Sequence, residues 1–195
     1  MKTKTTLFLL TVLIAIPSAL FAQIEFGVKA GASYSNIKPE KDFSFEDYNY
    51  KFGFYAGVFV NMGISESFRT QPELLVETFG TERHINLEWN GYGANITEKL
   101  TMTSISLPLP IQYRFSGFYA EAGPQVFYVF GEEWSEINQF GTVYYEPEFG
   151  EGFYYGFLAG AGYSFGKMGI NARFQKKYLD NDNATVFSLG LSYAF

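Results

Sequence analysis

The sequence predicts an all-β chain, an eight-stranded antiparallel up-and-down transmembrane β-barrel preceded by a signal peptide. Three observations predict it. Large apolar residues recur at every second position in eight separate stretches. The connectors between these stretches alternate between short and long. The last stretch, FSLGLSYAF, carries its apolar row to the final residue, Phe195, where chain ends ordinarily tolerate polar residues. Composition agrees: aromatics make up 20% of the chain, mostly Phe and Tyr, and 20 glycines punctuate it.

The N-terminus comes first. Lys2 and Lys4 precede an apolar run from Leu7 to Ile16, followed by Pro17, Ser18 and Ala19. This is the order of a secretory leader, expected to span residues 1–22 and to be cleaved after Ala22. The apolar run is shorter than the ~20 residues of a spanning helix. The barrel domain is then residues 23–195. The chain has no cysteine, which excludes disulfides, thiolate metal sites, Cys nucleophiles and a lipidated N-terminal Cys. Losing Lys2 and Lys4 leaves 12 of the 14 bases against 20 acids, a net charge of −8. Such a chain is not expected to bind nucleic acid.

Each strand is justified by its own alternation. Ile24–Tyr34 sets Phe26, Val28, Ala30 and Ala32 against Glu25, Gly27 and Lys29. Tyr50–Ile64 sets Phe52, Phe54, Val58 and Val60 against Lys51, Gly53, Gly57 and Asn61. Phe68–Gly80 opposes Leu74 and Val76 to Gln71, Glu73 and Glu77. Met102–Phe115 opposes Ile105, Leu107, Leu109, Ile111 and Tyr113 to Ser106, Gln112 and Arg114. Phe118–Gly131 opposes Ala120, Ala122 and Val126 to Tyr119, Glu121 and Gln125. Glu151–Phe165 carries Phe153, Tyr155, Phe157 and Tyr163 away from Gly156, Gly160 and Gly162. Met168–Leu179 sets Ile170, Ala172 and Phe174 against Asn171, Arg173 and Gln175. Phe187–Phe195 closes the series and is expected to pair with the first strand.

Ser65–Ser67, Ser116–Gly117 and Gly166–Lys167 read as tight turns, and Ser35–Asn49, Thr81–Thr101, Glu132–Gly150 and Asp180–Ala184 as long polar loops. Short turns at one end and long loops at the other are the layout of an outer-membrane barrel.

A soluble barrel would turn its apolar row inward and a membrane barrel outward. The polar rows decide for the membrane. They hold Glu25, Lys29, Lys51, Glu73, Glu77, Arg114, Glu121 and Arg173, four acids and four bases, among Gly, Ser, Gln and Asn. A solvent face would carry more charge and less glycine. These eight are the expected interior polar network. Aromatics fall in two bands, Phe115, Phe118, Phe165 and Phe195 at the short-turn end and Tyr34, Phe52, Tyr128, Phe130, Phe153 and Tyr155 at the other. Pro72, Pro108, Pro110 and Pro124 sit in neighbouring strands three, four and five, and predict a bulge or gap in pairing because proline has no N–H.

The segments GFYAGVFVNMGIS, QPELLVETFG, ISLPLPIQYRF, FYAEAGPQ and INARFQKKYLDN, in this order, resemble the outer-membrane β-barrel domain family of Gram-negative bacteria, the porin-family or PorT-like small barrels. The resemblance implies an eight-stranded barrel in the cell outer membrane, with both termini periplasmic, and no shared catalytic residue. Tyr193 and the terminal Phe195 resemble the signal read by the barrel-assembly machinery.

Eight strands enclose a lumen that side chains can fill. The expectation is a monomeric, non-enzymatic barrel in outer-membrane lipid, meeting an extracellular or envelope partner through its long loops. No cofactor and no metal is expected. A narrow channel or small-solute carrier is the alternative. A small barrel enzyme acting on outer-membrane lipid would rest on the single histidine, His84.

Overall fold

The computed structural model describes residues 24–39, 48–89, 92–138, 141–145, 151–180 and 182–195. The expected leader, residues 1–22, lies outside them. Eleven strand segments form: β1 (Ile24–Pro39), β2 (Tyr48–Gly63), β3 (Phe68–Thr70), β4 (Glu73–Trp89), β5 (Tyr92–Pro108), β6 (Ile111–Phe115), β7 (Phe118–Asn138), β8 (Gly141–Tyr145), β9 (Gly152–Phe165), β10 (Met168–Tyr178) and β11 (Asp182–Ala194). β3 with β4, and β5 with β6, each make one interrupted stave. β8 pairs only with β7 among the described residues. The remaining segments make an antiparallel ring of eight staves, in the order β1, β2, β3/β4, β5/β6, β7, β9, β10 and β11, which β11 closes against β1.

The closure has a definite stagger. From Lys29 the pairing passes Gly57, Leu75, Ser106, Phe127 and Tyr154. Continuing the β9–β10 register one step beyond Tyr155–Tyr178 leads to Leu179, whose N donates to Asp182 O, and Asp182 returns to β1 at Pro39, ten residues further along. At ~3.3 Å per residue and ~4.8 Å between strands, a stagger of ten over eight strands tilts them by about 40°. At the seam Phe195 N donates to Phe26 O at 2.9 Å, so the terminal apolar row is the wall that closes the barrel. The tight turns Ser116–Gly117 and Gly166–Lys167 use positive φ at Ser116, Gly117 and Gly166.

The apolar rows face outward. Phe26, Phe54, Val76, Leu107, Phe157, Leu189 and Leu191 are all exposed on the outer wall, while Lys29, Glu73, Gln112, Glu121 and Arg173 are buried inside. The aromatic bands are contiguous by ring contact. At the turn end Phe118 packs on Tyr163 at 4.6 Å and Phe115 on Phe118 at 5.8 Å. At the other end Tyr34 stacks on Tyr50 at 4.9 Å, and Phe174 meets Phe187 at 5.3 Å.

The prolines interrupt the pairing at Gln71–Pro72, between β3 and β4, and at Leu109–Pro110, between β5 and β6. Neither gap shifts the register: Met62 faces Thr70 and Phe59 faces Glu73, just as Pro108 faces Gln125 and Ile111 faces Ala122. The prolines still accept, Pro110 O from Gln71 N and Pro124 O from Leu109 N. No break occurs at Pro124, which lies inside continuous β7. We expect the isolated amides Gln71 and Leu109 to exchange with deuterium at least about tenfold faster than Ile170 and Ala172 in the unbroken β10 ladder. Hydrogen-exchange measurements on the folded barrel check this, and equal protection would contradict it.

The long polar connectors are shorter than the sequence suggests, because strands continue into them. β4 and β5 pair out to Trp89 and Tyr92, and β7 pairs with β8 as far as Asn138 and Gly141. A strand crosses the bilayer in ~9–11 residues. β4 and β5 have 17 each and β7 has 21, so their surplus stands beyond the membrane at the end away from the tight turns. There no lipid demands an apolar face, and the alternation that marks a strand fades.

Candidate functional site

The lumen is filled by two tiers of side chains. Arg173 of β10 occupies the centre of the lower one. Its Nη1 and Nη2 donate to Glu73 Oε2 and Oε1 at 2.6 and 2.7 Å, and its Nε donates to Glu121 Oε1 at 2.5 Å. Lys29 Nζ reaches Glu73 Oε1 at 2.7 Å. The four side chains are at most 2% exposed. They come from β1, β4, β7 and β10, every second stave of the ring. β4 and β10 lie opposite each other, so the Arg173–Glu73 fork crosses the full lumen. Two cations meet two carboxylates, and the cluster is neutral.

Amides secure the carboxylates from the side of the tight turns. Gln71 Nε2 donates to Glu73 Oε1 at 2.7 Å, and Gln112 Nε2 to Glu121 Oε2 at 3.0 Å. Asn61 Nδ2 joins them through Gln71 Oε1 at 2.9 Å. Charge-assisted bonds of this kind are what a buried ion pair needs to offset its lost hydration.

The second tier repeats the crossing four residues further along. Lys177 Nζ donates to Glu77 Oε1 at 2.5 Å, again from β10 to β4, and the Ser106 hydroxyl donates to the same oxygen. The Lys177 ammonium lies 4.2 Å from the Phe79 ring centroid and 4.4 Å from that of Phe127. Both rings belong to a buried apolar cluster with Ile37, Met102, Val129, Leu179, Ala184 and Val186. A charged tier thus sits beneath an apolar one. Small inward residues leave room for both: a side chain at Gly190 would run into the Tyr55 hydroxyl.

The eight residues expected to form the interior network divide four ways. Lys29, Glu73, Glu121 and Arg173 form the lower tier, and Glu77 the upper. Glu25 and Arg114 sit at the turn-end mouth. Arg69 Nη1 holds Glu25 Oε2 at 2.9 Å, and Arg114 donates to Gln112 Oε1. Lys51 joins neither tier. Its ammonium bonds to the hydroxyl of Thr101, on the outward row of β5 with Thr103 and Ile105. The cause is a register shift between β2 and β4: four residues of β2 lie between Tyr50 and Tyr55, against three of β4 between Thr81 and Glu77. Sequence reading missed Lys177, although it lies on the same alternation as Asn171, Arg173 and Gln175, and it missed the inward apolar positions that share their rows with Glu77 and Glu121.

His84 stands on the outer hairpin, its side chain 53% exposed. Its Nδ1 lies 3.0 Å from Thr97 Oγ1 and its Nε2 3.3 Å from Glu82 Oε1. These are neighbours on one face of the β4–β5 ladder, and among the described residues no serine hydroxyl joins them. No group of three or more His, Cys, Asp or Glu among the described residues is placed to hold a metal ion.

The profile of the outer membrane protein beta-barrel domain matches residues 21–176. The chain belongs to this family. As a member it resides in the Gram-negative outer membrane, with the short turns Ser116–Gly117 and Gly166–Lys167 on the periplasmic side. No curated protein matches the chain. Among solved structures, it is similar to Ail of Yersinia pestis in complex with the heparin analogue sucrose octasulfate. That pair is 14% identical over 89% of this chain and 99% of Ail, with a TM-score of 0.48. It is similar to Neisserial surface protein A at 13% identity over 87% and 97%, with a TM-score of 0.45. The outer membrane protease OmpT from Escherichia coli is similar at 11% identity over 88% and 95%, with a TM-score of 0.36. What each of these proteins does is its own property.

Proposed function

We propose that this outer-membrane barrel is a non-enzymatic protein whose lumen passes no solute. It meets an envelope or extracellular partner through the hairpins that stand beyond the membrane. One observation carries the reading: the Arg173–Glu73 fork joins opposite walls of the lumen, and the Phe79–Phe127 cluster covers it. A solute would have to break ion pairs that have no water to replace them. His84 supports the non-enzymatic part of the reading, since its imidazole lies on an open strand face rather than in a cleft. The paired segments β4–β5 and β7–β8 offer the partner surface, with Val143 and Tyr144 exposed on β8. Tyr193 and Phe195, at the periplasmic end of the closing strand, are read as the signal for assembly into the membrane.

Planar-bilayer recording on the purified barrel tests the closed lumen. The expected result is a quiet membrane. Steady single-channel steps of one size would overturn it and favour the narrow channel.

A further inference from the structure

The periplasmic mouth holds a cavity of about 230 Å³ beneath the charged tier. Its lining includes Arg69, Arg114, Lys167, Glu25, Tyr119 and Phe195. Three bases therefore face one acidic side chain and the terminal carboxylate, in a chain whose net charge is −6. Glu25 is already engaged by Arg69 at 2.9 Å. Arg114 is not matched. Its Nε and Nη2 both donate to the single oxygen Gln112 Oε1, at 3.1 and 2.8 Å, and its guanidinium lies 5.2 Å from the Tyr119 ring centroid. Among the described residues no carboxylate pairs with it. The ring and the amide fix the plane of the guanidinium, while its remaining terminal nitrogen is left without a protein acceptor among those residues.

A half-buried guanidinium held in place, with no carboxylate in direct contact among the described residues, beside a second one and in a polar cavity open to the periplasm, is suited to a planar or tetrahedral oxyanion. We propose that the periplasmic mouth is a binding site for one small carboxylate or phosphate, with Arg114 as its principal ligand and Arg69 as the second. The cavity admits an anion of a few heavy atoms, or the carboxylate end of a longer molecule. The charged tier above stops the anion from going further. This site is at the opposite end of the barrel from the hairpins, so it stands or falls apart from their role.

The chain has four arginines, at 69, 83, 114 and 173, which makes their side-chain Nε–H signals a direct readout. The barrel, labelled with ¹⁵N-arginine and held in lipid nanodiscs, is titrated separately with sodium acetate and sodium phosphate at constant ionic strength, using chloride as the balancing anion. The expected result is a saturating shift of the Arg114 and Arg69 signals, with Arg173 in its dry cluster and Arg83 at the far end unmoved. The acetate arm reports a carboxylate site and the phosphate arm a phosphate site, so saturation in either supports the proposal and names the class. Arg114→Gln is expected to weaken the shift at Arg69 at least about tenfold. Its fold is checked by the heat-dependent gel migration of the intact barrel. The proposal is overturned if neither anion saturates Arg114 by about 50 mM, where a millimolar site is filled. It is also overturned if chloride acts as well as either, or if Arg114→Gln leaves the Arg69 response intact.

Discussion

Replacing Arg173 with methionine is expected to lower the unfolding free energy of the barrel by about 3–5 kcal/mol. The cause is what remains. In the native cluster Arg173 and Lys29 balance Glu73 and Glu121, all four almost fully buried. Without Arg173, Lys29 still reaches Glu73, but Glu121 keeps only the amide of Gln112. Two carboxylates would then share one cation in a site with no bulk water. The test is a urea titration of the folded barrel in lipid vesicles, followed by circular dichroism and by gel migration. The double variant Arg173→Met/Glu121→Gln separates electrostatics from packing. It restores one cation to one carboxylate, Lys29 to Glu73, and is expected to regain at least about half of the loss, as coupled neighbours do. A single-variant loss under about 1 kcal/mol, or no recovery in the double variant, would contradict the role assigned to the cluster.

How much of this was legible in the sequence follows from the range of each signal. The inward and outward faces were legible because alternation is local. In β10 every residue from Met168 to Phe174 falls on the side its parity assigns. The gaps at Pro72 and Pro110 were legible because a missing N–H is a property of one residue. The ends of β4, β5 and β7 were not. Thr97, Lys99 and Thr101 form as regular a ladder with β4 as Ser104 and Ile105, but outside the bilayer they need no apolar row, so nothing in the sequence distinguishes them from a loop. Lys51 was misplaced because the one extra residue in β2 that redirects it leaves no mark of its own in the chain. The partners inside the lumen depend on the stagger of the whole ring. Arg173 and Glu73 are separated by 100 positions, and only a closure with a ten-residue stagger brings them to one height. A single sequence supplies the members of that cluster, while the geometry of closure supplies their pairing.

The second large effect lies on the outer wall. Leu189→Arg is expected to cost about 2–4 kcal/mol in lipid vesicles, the cost of a cation at the bilayer midplane. Leu189 is 68% exposed and lies in β11 between Ala32 of β1 and Ala172 of β10. Along β11 it stands between Phe187 of the outer aromatic band and Tyr193 of the periplasmic one, close to mid-height. Its alanine neighbours offer no acceptor to a guanidinium, so the charge must bend towards a headgroup or draw water into the hydrocarbon. Met168→Arg is the control. Met168 is also outward and 47% exposed, but it lies beside the periplasmic turn, level with Phe165 and Tyr193. There a cation reaches the interface and is expected to cost about 0–1 kcal/mol. The difference between the two variants carries the meaning, because losses of side-chain packing enter both. If Leu189→Arg is no worse than Met168→Arg, the apolar rows do not face lipid. The burial of Lys29, Glu73, Glu121 and Arg173 would then need another explanation. If the difference appears in vesicles and shrinks when the same proteins are moved to short-chain detergent micelles, where water reaches the wall more easily, the bilayer itself is what makes the outer rows apolar.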